Sequence, residues 1–160
     1  MTISVGDKMP AGNFTVMGES GPEELSSEAL FTGKKVVLVS VPGAFTPTCS
    51  KGHLPGFINH ADDLSASGVD TIACMAVNDV FVMDAWGKDR GVGDKVVMLA
   101  DGNGDYTGAL GLELDASGFG MGQRGQRFAI VVDDGVATHV AVEEPGAFEV
   151  SKAEAILASL

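Results

Sequence analysis

Residues Lys34–Ser50, KKVVLVSVPGAFTPTCS, run from a basic pair through an apolar stretch into a loop with two prolines and a cysteine. The apolar part, Val36–Val41, is continuous rather than alternating, which is the pattern of a strand buried on both faces. Such a strand needs helices above and below it, and this points to the α/β class. Pro42 and Pro47 lack an N–H and fix φ, so with Gly43 they end the strand and predict a rigid loop. Cys49 then falls beyond the carboxyl end of the strand, at or near the first turn of the next helix. Ligands bind at that end of the strands in open α/β sheets.

Working outward, Phe57, Ile58, Ala61 and Leu64 sit at helical spacing after Pro55, and Gly68 closes that segment. Thr71–Val77 reads as a second buried strand. Asp79 can cap a helix carrying Val82, Met83 and Trp86, and Val96–Ala100 gives a short third strand. The turn residues DGNGD lead into a short helix through Tyr106 and Leu110. Farther on, RFAIVV and VATHVAV flank Asp133-Asp134-Gly135, a hairpin signal because Asp-Gly tolerates positive φ. Ser151 and Glu154 have capping-box spacing before an apolar stripe of Ala153, Ile156, Leu157 and Leu160. Right-handed strand–helix–strand crossovers give parallel strands, and the hairpin adds antiparallel ones. The expected fold is therefore α/β and thioredoxin-like, with a mixed central β-sheet flanked by helices and a single domain over residues 1–160. The tetrapeptide PGAF recurs at Pro145–Phe148, but its flanks differ and no repeat is implied.

Ten basic residues against 22 acidic ones leave a net charge of −12. That argues against nucleic-acid binding, which needs clustered Lys and Arg, and against docking on anionic membrane. Two cysteines make neither a disulfide framework nor a metal motif, and three scattered histidines add no metal site. With no signal-peptide pattern at the start and no run near the ~20 apolar residues of a membrane span, the expectation is a cytoplasmic protein with free thiols.

The two thiols differ in setting. Cys74 lies between Ala73 and Met75 in a predicted core strand and reads as a small buried hydrophobe. Cys49 is flanked by Thr46, Thr48, Ser50 and Lys51, beside the unpaired N–H groups and positive dipole end of a helix. Those groups favour the thiolate, the nucleophilic form.

PGAFTPTC resembles the peroxiredoxin signature Pro-x-x-x-Thr-x-x-Cys, carried here by Pro42, Thr46 and Cys49. SKGHLPGF is similar to the type II (peroxiredoxin-5-like) subgroup. The resemblance continues through VNDVFVMDAW, LADGNGDYTGALGLELD and RFAIVVDDGV, so four collinear blocks cover nearly the whole chain. It implies a cofactor-free thiol peroxidase that reduces hydrogen peroxide and organic hydroperoxides, with Cys49 passing through a sulfenic acid. Thr46 is expected to aim its hydroxyl at the peroxide, and Pro42 to shield the thiolate. The arginine that opens the hairpin strand in the family corresponds to Arg127, with Arg124 in a supporting role. His53, four residues past Cys49, admits a Cys–His hydrolase reading, but the family places it as a neighbour of the pocket. The other alternative is a redox sensor in which Cys49 oxidation signals instead of turning over. Family members are commonly homodimers. Some carry a resolving cysteine in the C-terminal segment, but Glu143–Leu160 has none. The expectation is a one-cysteine cycle in which glutathione, glutaredoxin or thioredoxin restores the thiol.

Overall fold

Along β3 (Lys35–Ser40) side chains alternate between two cores, which explains the unbroken apolar run. Val37 and Val39 join one buried cluster, and Val36 and Leu38 join the other. The computed structural model describes residues 1–160. The other strands, numbered in chain order, are β1 (Asn13–Gly18), β2 (Gly21–Ser26), β4 (Thr71–Ala76), β5 (Val97–Ala100), β6 (Glu113–Asp115), β7 (Gln123–Gly125), β8 (Phe128–Asp133) and β9 (Val136–Val142). The main sheet has seven strands in the order β2-β1-β5-β4-β3-β8-β9, while β6 and β7 form a separate antiparallel pair. Strands β3, β4 and β5 are parallel, β8 pairs antiparallel to β3, and β9 pairs antiparallel to β8. This is the thioredoxin-like fold expected from the sequence. In the β8–β9 turn Asp134 has φ 47° and Gly135 φ 80°, the left-handed pair that the Asp-Gly signal anticipates.

The helices are α1 (Ser27–Phe31), α2 (Leu54–Asn59), α3 (Ala61–Ala66), α4 (Val80–Arg90), α5 (Asp105–Leu110) and α6 (Ala153–Ser159). Trp86 of α4, Phe57 of α2 and Ile156 of α6 pack on the face that holds Cys49 and Cys74. Phe31 of α1 and Tyr106 and Leu110 of α5 cover the opposite face. Asp79 caps α4 by accepting a bond from the Val82 amide at 2.8 Å. No helix is long and apolar enough to cross a membrane.

Two features differ from expectation. The β1–β2 hairpin is absent from the sequence reading because its apolar side chains are mostly half-buried: in β1 only Phe14 is fully buried, with Val16, Met17 and Leu25 partly covered, and β2 is GPEELS. Its stability comes from pairing along the sheet edge, where Pro22, Glu23 and Glu24 discourage a further strand. At the C-terminus, the capping box at Ser151 does not form. The N-cap is Lys152, with no side-chain bond. The Ser151 hydroxyl donates instead to Glu143 at 2.6 Å, and Leu160 is exposed rather than part of the stripe.

Candidate active site around Cys49

Beyond β3 the chain turns sharply. Phe45 takes φ 65°, a left-handed conformation uncommon for an aromatic residue. The turn is closed by Thr46, whose hydroxyl donates to the Gly43 carbonyl at 2.7 Å, and by Asn78, which accepts the Ala44 amide at 3.0 Å. A side chain at Gly43 would sit 3.1 Å from the Met121 methyl and 3.2 Å from the Thr46 methyl, so any larger residue there would crowd the loop against its neighbours. Helical backbone begins at Pro47, and Cys49–His53 widens into one π-helical turn before α2. Cys49 thus lies in the first turn, as expected.

The wide turn has a local cause. The Leu54 amide bonds the Cys49 carbonyl, and Pro55 has no N–H to offer the Ser50 carbonyl. Arg90 of α4 supplies that donor at 3.1 Å, while the Trp86 indole N–H donates to the Ser50 hydroxyl at 2.9 Å. Buried backbone groups left unpaired are costly, so α4 completes the bonding that the proline removes. Neither Arg90 nor Ser50 was identified from sequence. The signal was there in Pro55, two residues past His53.

Arg127, the residue before β8, reaches back to this turn. Its Nη2 donates to Cys49 Sγ at 3.0 Å and its Nη1 to His53 Nδ1 at 2.9 Å. The guanidinium also lies 5.8 Å from the centre of the Phe148 ring. His53 Nε2 faces the Ser151 carbonyl at 3.0 Å. Burial, reinforced by Arg127, lowers the His53 pKa from 6.5 to about 4, against the opposing pull of Ser151 and Glu143. The imidazole is therefore neutral at physiological pH and cannot add a second cation beside Arg127.

Arg124 takes a different place. It donates to the carbonyls of Met121 at 2.9 Å and Val77 at 3.1 Å, tying loops together around Gly43. Cys49 is fully buried. Cys74 is also buried, paired across the sheet with Val39 and Met98, and burial together with the neighbouring Cys49 pushes its thiol pKa up. Pro42, Thr48 and Arg127 line a cleft of about 680 Å³, with Leu114, Phe119 and Met121 on its apolar wall and Glu143 and Glu144 beside them. Of the residues singled out from sequence, Cys49 and Arg127 are in contact, and Pro42 shares the cleft with Arg127. Thr46 is in the same loop, but its only hydroxyl proton is directed at Gly43. His53 is separated from the sulfur by Arg127.

The chain matches the Redoxin family over residues 4–157. It is 51% identical to peroxiredoxin-2C of Oryza sativa subsp. japonica, covering 99% of this chain and 98% of that one. Peroxiredoxin-2E of Arabidopsis thaliana, a chloroplastic protein, is 48% identical over 99% of this chain and 70% of its own length. Among solved structures, reduced Prx3 of Vibrio vulnificus in complex with hydrogen peroxide superimposes with a TM-score of 0.95 at 51% identity, covering 99% of both chains. The chloroplastic relative overturns the expectation of a cytoplasmic protein. That expectation leaned on free thiols, which any reducing compartment preserves.

Proposed function

The chain belongs to the redoxin family and is a thiol peroxidase of its type II peroxiredoxin group, reducing peroxides through a cysteine, and from that premise we propose that the cysteine is Cys49. The supporting observation is the 3.0 Å contact between Arg127 Nη2 and Cys49 Sγ inside a site where Cys49 is fully buried. A guanidinium stays charged and offers donors in a fixed plane, so it grips the sulfur and orients it toward the incoming peroxide. The thiolate attacks one peroxide oxygen, an S–O bond forms, the O–O bond breaks, and the departing oxygen leaves as water or alcohol after protonation. Charge moves from sulfur to the leaving oxygen along a path that Arg127 flanks, which lowers the barrier electrostatically.

Thr46 contributes differently from its sequence-level role. Its proton is committed to Gly43, so its free lone pair accepts the O–H of the incoming peroxide and orients it. Pro42 walls off the sulfur on the cleft side. The apolar wall of the cleft suits the alkyl part of an organic hydroperoxide.

The oxidised cysteine is returned by an external thiol through a mixed disulfide. Supporting this, Cys74 is locked mid-strand with its thiol protonated. Glutathione with glutaredoxin, or thioredoxin, is the proposed reductant, and a homodimer of single-domain chains the proposed assembly. Replacement of Cys49 by Ser tests the assignment: peroxide consumption is expected to vanish with the fold retained, and substantial turnover would refute it. A sensor would instead show one stoichiometric oxidation with no turnover when reductant is supplied.

A further inference from the structure

Glu143 stands directly opposite Arg127 at the open end of the β8–β9 hairpin, where its amide donates to the Arg127 carbonyl at 3.0 Å. An acid so close to an arginine would ordinarily pair with it, which would draw the guanidinium away from sulfur. Here it does not: the four ion pairs of the chain lie elsewhere, at His60, Lys88 and Arg90. The Glu143 carboxylate is buried and occupied by the amides of Glu149 at 2.8 Å, Val150 at 3.2 Å and Ser151 at 2.9 Å, plus the Ser151 hydroxyl. Burial pushes its pKa up, but the bonds from Ser151 and the neighbouring amides outweigh this and hold it below the usual carboxylate range.

The clamped segment carries the Ser151 carbonyl, and that carbonyl has one partner of consequence, His53 Nε2. A carbonyl only accepts and a guanidinium only donates. Between them the imidazole has one possible arrangement, with the proton on Nε2 and a lone pair on Nδ1. We infer that Glu143 is a positioning residue for peroxide reduction: by anchoring Ser151 it fixes the His53 tautomer whose Nδ1 holds Arg127 against Cys49 Sγ. The relay runs Glu143, Ser151, His53, Arg127, Cys49, and none of its first three members touches the sulfur. Glu143 thus acts in two ways, by supplying the anchor and by being kept from competing for the arginine.

This inference rests on Cys49 being the reacting cysteine, and its test includes a readout that does not depend on turnover. In protein labelled with ¹⁵N-histidine, His53 is expected as the Nε2–H tautomer at neutral pH; an Nδ1–H or doubly protonated ring would overturn the relay whatever Cys49→Ser shows. Glu143→Gln removes the charge from four hydrogen bonds and replaces one acceptor oxygen with an N–H₂ that faces a backbone N–H. It is expected to mix the His53 tautomers and cut the peroxide rate constant about tenfold, the size of one lost charge-assisted bond. Should that variant not fold, Glu143→Asp, one methylene short of the three amides, replaces it with the same expected direction. His53→Asn keeps an acceptor near the Nδ1 position and is expected to recover most of the rate that His53→Leu loses. A folded Glu143 variant with unchanged rate and an unchanged His53 tautomer, or equal losses in His53→Asn and His53→Leu, would sink the proposal.

Discussion

Arg124 and Arg127 are three residues apart and chemically identical, yet only Arg127 reaches the sulfur, while Arg124 binds two carbonyls. Arg127→Ala should therefore slow peroxide reduction by at least tenfold, since a charged hydrogen bond is worth about 1.5–3 kcal/mol. Arg124→Ala should act mainly on thermal stability, because it loosens the loops around Gly43. A larger rate loss in Arg124→Ala would reverse the assignment. If the Thr46 hydroxyl accepts the peroxide O–H as proposed, Thr46→Ser should retain more activity than Thr46→Val; equal rates would remove the hydroxyl from the mechanism. Cys74→Ser should keep most activity with an external thiol. Mass spectrometry of peroxide-treated protein should then find the oxidation on Cys49, and a Cys49–Cys74 disulfide forming at the catalytic rate would contradict the one-cysteine cycle.

At the scale of elements, the π-turn makes a coupled prediction. Arg90→Leu leaves the Ser50 carbonyl without its donor and should cost roughly 1–3 kcal/mol. Pro55→Ala restores a backbone N–H in the same turn and should relieve part of that cost in the double variant, read by urea denaturation. Strict additivity would mean that the two residues do not serve the same carbonyl. This turn also shows where sequence reading reaches its limit. Strands β3, β4 and β8 were legible because both their faces are apolar, so burial writes itself into composition. Cys49 and Arg127 were legible through the family signature, though the 3.0 Å contact was not. The Arg90 bond was not legible, because it joins residues 40 positions apart, and the Glu143 clamp was not, because nothing in the sequence says which way a buried carboxylate turns. Ser151 misled because capping-box spacing looks only forward along the chain, whereas its hydroxyl donates backward to the buried carboxylate of Glu143, just past β9.

For the whole molecule, the buried histidine sets a response to acid. His53 binds its proton near pH 6.5 when unfolded and near pH 4 when folded, so between those values the unfolded chain holds more protons. Stability is then lost as pH falls from 6.5 toward 4, by roughly 3 kcal/mol for this group. Glu143 adds to the loss lower in the range, because its folded pKa is depressed and its contribution fades as the carboxylate is protonated. Thermal melts of the native protein should fall by on the order of 10 °C across that window, and His53→Asn should flatten the slope. An equally steep slope in that variant would place the acid sensitivity elsewhere.

The exposed Glu144 on the rim of the cleft, in a chain of net charge −12, bears on how the two halves of the cycle respond to salt. A peroxide is neutral and feels no long-range field from this surface. Glutathione, the proposed reductant, is an anion, and it would approach the same cleft against a negative potential. Raising ionic strength from about 10 mM to about 150 mM shortens the screening length from roughly 30 Å to roughly 8 Å. The oxidative half-reaction should keep its rate constant while regeneration by glutathione accelerates, and Glu144→Gln should weaken that acceleration. Dilute buffer would then leave more enzyme waiting in the oxidised form, where a second peroxide carries the sulfur on to sulfinic acid. Survival through repeated turnovers would become a property of the surrounding electrolyte as much as of the active site.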